Sequence, residues 1–537
     1  MGRVLKVLTA VAACGAMLGL SVTGAASASS DPRWIKHIKN YPGGISAGAR
    51  AMISDEALAA RAKYGRAPLQ HTRGQFGPNV QMNDDTYPPL PQNETAVAYN
   101  VWDPSIAVAA ANDYVSGGVV IMRTSDSGNS WASTRLTPQF RGNGDFCTGG
   151  DPAIAYSRRD KAFYLTQLCF FRSLPYSEVH LFVSLDNGAT WTPGRQRALV
   201  ATNYDYSHGV VDPSIFNDKE YLTVDNYPNS PRYGRIYVTY TKFHVLDSGF
   251  SDYCPIQLAY TDSVPAFDPS LTVFQHTAVV PDDPGGNGRG HSANQHSVPV
   301  VEKTGVLDIS YVTEECNTGI DHNYFLQKST NGGNSFLPKP VRVTKPGYFV
   351  DNPNKADLLP NKKFRAPNTE SLAYSPVTGT LLFMYTNYND MAASGGNIVA
   401  QRSTDGGFTW SAPQLVSHTA GGDAAPNDQF FPWVATSPNG NSYAVWLDCR
   451  EDPNNHDIVA FQANSTDDGL TWNNIEVGTA IWDPDKAFFK SASFIGDYSG
   501  IAASNSVVYP VWTDGRDSAF DQTGIGETDI FTNVEIQ

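Results

Sequence analysis

Short runs of apolar and β-branched residues recur along the chain. Runs of about four to eight such residues predict β-strands. Seven of them resemble one another, and we interpret each as the innermost strand of a repeated unit: ETAVAY at 94, DPAIAY at 151, KEYLTV at 219, QHSVPV at 295, TESLAY at 369, FPWVAT at 431 and YSGIAA at 498. Spread over residues 79 to 537, these runs leave about 65 residues per unit, which suits a four-stranded sheet.

A second pattern, Ser/Thr-x-Asp/Asn-x-Gly-x-Ser/Thr-aromatic, is called the turn string below. It occurs as TSDSGNSW at 124–131, SLDNGATW at 184–191, STNGGNSF at 329–336, STDGGFTW at 403–410 and STDDGLTW at 465–472. Each copy lies between two extended runs, which predicts a hairpin turn. The Asp accepts turn amides, the Gly supplies a positive φ, and the aromatic residue packs between sheets. The turn string is therefore predicted to be scaffold rather than chemistry.

The turn string resembles the Asp-box, or BNR, repeat of sialidases and related secreted β-propellers, over most of residues 79 to 537. The resemblance implies an all-β fold, a β-propeller of four-stranded blades. The Asp-type positions are 60, 145, 74 and 62 residues apart, and a degraded copy, YTDSVPAF at 260–267, lies in the widest gap. The seven inner-strand runs favour seven blades. Six blades, the usual number in sialidases, is the alternative.

The chain divides into three parts. Residues 1–28 combine a basic start, an apolar run and a small-residue exit, which predicts a signal peptide and export. Residues 29–75 are an N-terminal extension or linker, either a propeptide or a strap across the ring, with one helix starting at Ser54. Residues 76–537 are the propeller. Its last unit has three evident strands, so residues 79–84 are predicted to supply the fourth and to close the ring.

Composition narrows the partners. The formal net charge is -15, so nucleic acid is not an expected partner. After the signal, no apolar run reaches the roughly 20 residues that a membrane helix needs. We therefore expect a secreted monomer that binds an extracellular glycan or polysaccharide.

The cysteines predict disulfides and one leftover thiol. Five remain after the signal, and an odd count leaves at least one without an intramolecular partner. The first pairing predicted is Cys147 with Cys169, which bracket one unit, and the second is Cys254 with Cys316.

Three arginines are candidates for substrate binding: Arg365 in FRAP, Arg450 in VWLDCR and Arg516 in VWTDGR. They lie in loops predicted on the face opposite the turn strings, which holds the site in the resembled families. Guanidinium groups bind carboxylates bidentately, so three converging arginines would hold an acidic sugar. Pairing between Asp and Arg at i and i+2 is the structural alternative for Arg450 and Arg516. FRAP resembles the Phe-Arg-Ile-Pro segment of sialidases, although it lies in the fifth unit.

The catalytic candidates lie where innermost strands begin. GDYSGIAA resembles the Tyr-Ser segment of sialidases, which implies that Tyr498 is the nucleophile. A neutral nucleophile avoids repulsion by a sugar carboxylate, but it needs a nearby glutamate to accept its proton. Glu315 is assigned that role, with Glu314 and Glu370 as alternatives.

Carboxylates that precede innermost strands are candidates for the general acid. These are Asp151, Asp428 and Asp497, and Asp428 is also assigned to the substrate-binding set. Any of them would serve equally well to cap a turn or hold an ion.

The sequence thus predicts a sialidase-like glycoside hydrolase acting on extracellular glycans. A non-catalytic propeller that binds glycan or protein, and a polysaccharide lyase using the same Arg and Tyr set, are the alternatives. No cofactor is predicted. A calcium ion held by loop carboxylates is compatible with the composition, but no EF-hand spacing assigns it.

Overall fold

The computed structural model describes residues 31–64, 75–76, 78–84, 90–192, 196–280, 293–319, 321–344, 359, 362–388, 395–489, 493–517 and 525–537. The predicted signal peptide and residues 65–74 of the extension lie outside this part of the chain. Among the described residues, no helix is long and apolar enough to cross a membrane.

Seven four-stranded antiparallel sheets form a propeller ring. Blade one consists of β3 (Gln92–Asn100), β4 (Asp103–Asp113), β5 (Gly118–Thr124) and β6 (Ala132–Leu136). Blade two consists of β7 (Ala153–Ser157), β8 (Ala162–Phe171), β9 (Leu174–Ser184) and β10 (Ala198–Thr202). Blade three consists of β13 (Ile215–Val224), β14 (Ile236–Val245), β16 (Ile256–Thr261) and β17 (Gln275–Ala278). A hairpin, β11 (Tyr204–Asp205) and β12 (Val210–Val211), precedes blade three, and β15 (Ser251–Tyr253) adds to β14.

Blades four to six continue the same order. Blade four consists of β18 (Asn294–Val301), β19 (Leu307–Glu314), β20 (Asp321–Ser329) and β21 (Val341–Arg342). Blade five consists of β22 (Ser371–Tyr374), β23 (Leu381–Asn387), β24 (Asn397–Ser403) and β25 (Gln414–Leu415). Blade six consists of β26 (Gln429–Thr436), β27 (Ser442–Asp448), β28 (Val459–Ser465) and β29 (Asn473–Glu476). Short 3₁₀ turns are Pro269–Leu271 and Pro484–Lys486. The seven inner-strand runs of the sequence coincide with the first strand of each blade, so the prediction of seven blades is confirmed.

Blade seven combines strands from the beginning and from the end of the propeller segment. It contains β30 (Gly500–Ala503), β31 (Val507–Asp514) and β32 (Asp529–Thr532), and β33 (Glu535–Ile536) adds to β31. Its fourth strand is β2 (Asn79–Gln81), which follows β1 (Gln75–Phe76) and pairs Val80 with Thr532. Asn83 extends this contact, because its amide hydrogen-bonds Asp529 at 2.7 Å. The predicted ring closure is confirmed.

The turn strings lie between the third and fourth strands of their blades, on what we call the lower face. In STDGGFTW, Asp405 accepts hydrogen bonds from the backbone N–H of Thr409 at 2.9 Å and from its hydroxyl at 2.6 Å. The same two bonds join Asp467 to Thr471. The turn string is therefore a local stabiliser, as predicted. The innermost strands begin on the opposite, upper face.

Five innermost strands contain, or closely follow, a non-glycine residue in the left-handed region: Glu94, Asp151, Lys219, His296 and Phe431. The register shifts at this point in blades one, three, four and six, as in a β-bulge. Such residues cost roughly 1 to 3 kcal/mol each and cluster at functional sites. Side chains of opposite blades meet at the axis, since the rings of Tyr221 and Trp433 lie 5.1 Å apart.

The N-terminal extension lies over the upper face. It contains α1 (Arg33–Asn40), α2 (Ala47–Met52) and α3 (Asp55–Tyr64). The helix predicted from Ser54 is α3, because the Ser54 hydroxyl accepts the Ala57 N–H at 3.2 Å. The first two helices were not predicted.

The disulfides follow the predicted pairing. Cys147 bonds Cys169, Cys254 bonds Cys316, and Cys449 is a buried free thiol. Cys254 and Cys316 belong to blades three and four, so this bond ties neighbouring sheets together.

Candidate functional site at the propeller axis

The innermost strands bring ionisable side chains together at the axis on the upper face. We call this set the axial cluster, and each member is at most 6 % exposed. Its members are Glu94, Asp151, Asp218, Lys219, Glu220, His296, Glu370, Asp497 and Tyr498. Most of them stand in or just before a bulged strand start, which is why sheets that are otherwise apolar place charge at the axis.

Lys219 is the cation at the centre of the cluster. Burial raises the pKa of the carboxyl groups of Glu94, Glu220, Glu370 and Asp497, and the Lys219 ammonium group opposes that rise in each. Buried carboxylates are costly unless a cation compensates them. Lys219 therefore holds together an otherwise repulsive set of acids.

Glu94 and Asp151 form a carboxyl pair. Burial and the neighbouring Asp151 charge raise the pKa of Glu94 well above its usual value. Two ionised carboxylates buried side by side repel each other, so this environment favours the protonated form of Glu94. Asn112 on β4 positions both residues: its amide nitrogen donates to Glu94, and its oxygen accepts the Asp151 backbone N–H at 2.8 Å.

Tyr498 lies beside this pair. The Lys219 ammonium group is 3.4 Å from the centre of its ring. Burial, followed by the charges of Glu94 and Asp151, raises the pKa of Tyr498 well above its usual value. The phenol is therefore protonated at neutral pH and needs a base before it can act as a nucleophile.

Arg365 reaches the cluster from the segment before β22. Its Nη2 lies 3.4 Å from Asp497 Oδ2. Burial raises the pKa of Asp497, and the Arg365 charge opposes that rise. Burial also lowers the pKa of His296 well below its usual value, and the Lys219 and Arg365 charges lower it further, so His296 is neutral.

The N-terminal extension covers the axial cluster. The Ser46 backbone N–H donates to Asp218 Oδ2 at 2.6 Å, and its hydroxyl donates to Oδ1 at 3.1 Å. Burial and the Asp151 charge raise the pKa of Asp218 to about 7.

The structure does not bring the three predicted arginines together. Arg450 pairs with Asp448 at 2.6 Å and lies over the Phe461 ring, and Arg516 pairs in the same way with Asp514. The predicted convergence is wrong, because the carboxylate two residues earlier captures each of these guanidinium groups within its own blade. The alternative of i, i+2 pairing is the observed arrangement.

Two other predicted residues lie outside the cluster. Asp428 forms an ion pair of 2.7 Å with Lys362, both fully buried, and also accepts the Gly396 N–H. Glu315 belongs to the turn after β19, where its carboxylate accepts the Thr318 hydroxyl at 2.8 Å. Its neighbour Glu314 is the buried residue, with Oε2 3.9 Å from His296 Nε2.

Of the predicted catalytic and substrate-binding residues, Tyr498, Asp151, Asp497 and Arg365 do meet at the axis. Sequence reasoning missed Glu94, Asp218, Lys219, Glu220 and His296. Part of the signal was present, since Glu94 and Lys219 open an inner-strand run in the way that Asp151 does. Comparing the first positions of the seven runs would have shown these three charged residues at equivalent places.

A cavity of about 560 Å³ opens on the upper face between blades two and three. Its lining includes Tyr204, Tyr240, Tyr253 and Asn217, the residue before Asp218 of the cluster. Aromatic rings with nearby polar groups are suited to stack on and bind sugars.

Acidic side chains also gather near blade six, where His456 lies 2.7 Å from Asp457 and 3.4 Å from Asp485. Lys486 neutralises Asp483 in the same group at 2.9 Å.

No protein-family model and no curated protein match the sequence. Solved structures do match. The Hadza microbial sialidase Hz136 is 13% identical over 79% of this chain and 72% of that chain, with a TM-score of 0.43. The Penicillium chrysogenum alpha-L-arabinanase complexed with arabinobiose is 13% identical over 74% of this chain and 99% of that chain, with a TM-score of 0.41. The GH93 alpha-L-arabinofuranosidase of Fusarium graminearum is 14% identical over 71% of this chain and 91% of that chain, with a TM-score of 0.40. At these TM-scores their functions are not transferred. The chain's own strand pairing defines its class, a seven-bladed propeller with a charged axial cluster.

Proposed function

We propose that the protein is a secreted glycoside hydrolase that acts on extracellular glycans and that the axial cluster is its active centre. The observation that carries this proposal is the buried carboxyl pair of Glu94 and Asp151 beside Tyr498. Glycoside hydrolysis needs a group that protonates the leaving oxygen and a group that attacks the anomeric carbon or activates water. The cluster offers both within one buried site.

The roles follow from the electrostatics. Glu94 donates the proton of the carboxyl pair to the leaving oxygen, because burial and the Asp151 charge keep that proton bound. Tyr498 attacks the anomeric carbon and transfers its phenol proton to an ionised carboxylate of the axial cluster. Attack by a protein group implies retention of configuration.

Charge also bears on the class of sugar. Arg365 is the one predicted arginine that reaches the cluster, and it already faces Asp497. Carboxyl groups outnumber the cations Lys219 and Arg365 in the cluster, so the site does not favour an anionic ligand over a neutral one. We therefore favour a neutral or amino sugar over the sialic acid that the sequence suggested.

Export is part of the proposal. The two disulfides favour an oxidising compartment, in agreement with the predicted signal peptide.

The test is hydrolysis of fluorogenic aryl glycosides of neutral sugars, glucosamine and sialic acid. The native chain and a Trp34→Ala variant, which loosens the extension, are assayed side by side. Tyr498→Phe and Glu94→Gln should each lower turnover by at least about a hundredfold. Tyr233→Phe, in a lower-face turn, is the matched control and should retain full turnover. The proposal would be overturned if neither the native chain nor the Trp34→Ala variant hydrolysed any of these glycosides, or if Tyr498→Phe retained full turnover.

A further inference from the structure

The N-terminal extension fits the mouth of the axial cluster closely. A Cβ atom built at Gly48 would lie 2.4 Å from Asp151 Oδ1 and 2.6 Å from Glu94 Oε2. These are the two carboxyl groups assigned above to proton donation. The extension thus occupies the space in which a glycosidic oxygen would have to lie.

The extension also satisfies the cluster's hydrogen-bonding groups. Besides the two bonds from Ser46 to Asp218, the backbone N–H of Ala47 donates to Asp497. In return, Gln295 Nε2 donates to the Gly44 carbonyl at 3.1 Å. These donors take the places that the hydroxyl groups of a sugar would fill on the same carboxylates.

Charge complementarity adds to the fit. Arg50, from α2, lies partly buried against the cluster, where the charges of Asp218, Glu314 and Asp497 oppose the lowering of its pKa by burial and by Arg365. Its guanidinium group also donates to the Ile45, Ile38, Tyr41 and Gly43 carbonyls. Arg50 therefore both shapes the extension and brings a cation to an acidic mouth.

Outside the mouth, α1 anchors the extension. The Trp34 ring stacks on Phe216 at 4.8 Å and meets Phe170 edge-on at 5.5 Å. His37 bonds the Gly249 carbonyl at 2.9 Å. Yet the extension contributes no strand to any sheet over residues 31–64, and β2 closes the ring without it.

We infer that the N-terminal extension, residues 31–64, is an autoinhibitory plug: it occupies the substrate position of the axial cluster and must leave before a glycan can bind. The inhibitory consequence rests on the proposed hydrolase function, but occupation of the site does not. Apart from one backbone hydrogen bond, from the Gly43 N–H to the Asn317 carbonyl at 3.2 Å, residues 31–64 are tied to the ring by contacts that involve side chains and not by sheet pairing. The extension can therefore undock while the ring persists.

Two variants of the full chain test this inference. Gly48→Leu introduces a side chain against Glu94 and Asp151, and Trp34→Ala removes the anchor without touching the cluster. Ala59→Leu, at an exposed position of α3, is the matched control. Hydrogen exchange of residues 33–52 reports undocking. Carbodiimide labelling with glycine ethyl ester, read by mass spectrometry, reports access to Glu94 and Asp151.

In at least one of the two variants, the exchange rate in the extension should rise by roughly tenfold or more, which lowers its free energy of local opening by about 1.4 kcal/mol. The blade strands should stay protected. Glu94 and Asp151 should become labelled, and hydrolysis should increase. The control should behave like the native chain. If Glu94 and Asp151 become labelled but no variant hydrolyses a glycoside, the plug is supported and the hydrolase proposal is overturned.

Three results would overturn the plug itself. These are unlabelled axial carboxyls despite rapid exchange of the extension, unchanged exchange in both variants, and loss of blade protection together with that of the extension. The last would mean that the extension is an integral part of the propeller.

Discussion

The Lys219 ammonium group lies 3.4 Å from the centre of the Tyr498 ring, although the two residues come from blades three and seven. A cation over an aromatic face is stabilised further when water is excluded. This contact places the central charge of the cluster against its nucleophile candidate. It also explains how six buried carboxyl groups coexist in one site.

Removing that charge should destabilise the protein. We expect Lys219→Met to lower the free energy of unfolding by about 3 kcal/mol or more, because it leaves buried carboxylates without compensation. Urea unfolding followed by tryptophan fluorescence measures the change. Lys339→Met, at an exposed position, is the control and should have little effect. Equal stabilities of the two variants would contradict the central role of Lys219.

Asp218 should make stability depend on pH. Its pKa is raised from 3.8 to about 7, so between these values the folded chain binds more protons than the unfolded chain. Stability should therefore fall as pH rises from about 4 to 7, by at most about 1.4 kcal/mol per pH unit for this one proton. Glu94, Glu220 and Glu370 act in the same direction.

Asp218→Asn tests this slope. Asp151, Lys219, Ser46 and Arg50 face the carboxyl group. The variant should show a shallower loss of stability between pH 4.5 and 7.5 in urea titrations, about one proton less at most. An Asp423→Asn variant, exposed on a loop, should keep the native slope. A slope unchanged in Asp218→Asn would show that Asp218 does not take up the proton.

The turn string should affect stability but not chemistry. Asp405→Ala removes the acceptor of the Thr409 N–H and hydroxyl and of the Phe408 N–H at 3.1 Å. A loss of about 1 to 2 kcal/mol is expected, as for other capping side chains. Thermal unfolding and glycoside turnover are measured on the same sample. Reduced turnover at temperatures where the variant is fully folded would contradict the scaffold role.

Arg450 should likewise be structural. Arg450→Ala leaves the fully buried Asp448 without its guanidinium partner, so we expect a loss of about 3 to 5 kcal/mol. Lys363→Ala breaks an exposed ion pair and should have little effect on stability. Substrate preference should be the same in both variants. A selective loss of sialoside hydrolysis in Arg450→Ala would restore this residue to the substrate site.

The fold could be predicted because its signals are local and repeated. A hairpin turn is stabilised within eight residues, as between Asp405 and Thr409, so the sequence displays it directly. The pairing of Val80 with Thr532 joins distant segments, yet it followed from one missing strand in an otherwise regular series.

The site was harder to predict because its geometry depends on contacts between blades. No spacing in the sequence shows that Lys219 lies against Tyr498 or that Glu94 is buried beside Asp151. For Arg450, the nearest carboxylate in sequence, Asp448, captured the guanidinium group. The docking of α1 and α2 depends on Trp34 and Gly48 meeting partners far along the chain.

The pairing of β2 with β32 also bears on biogenesis. The strand at residues 79–81 pairs with the strand at residues 529–532, so the seventh sheet cannot be completed until nearly the whole chain has been synthesised. Contacts between such distant segments form slowly and leave unpaired edges exposed during synthesis. Chains truncated before residue 529 would remain open rings, prone to pair edge to edge with one another.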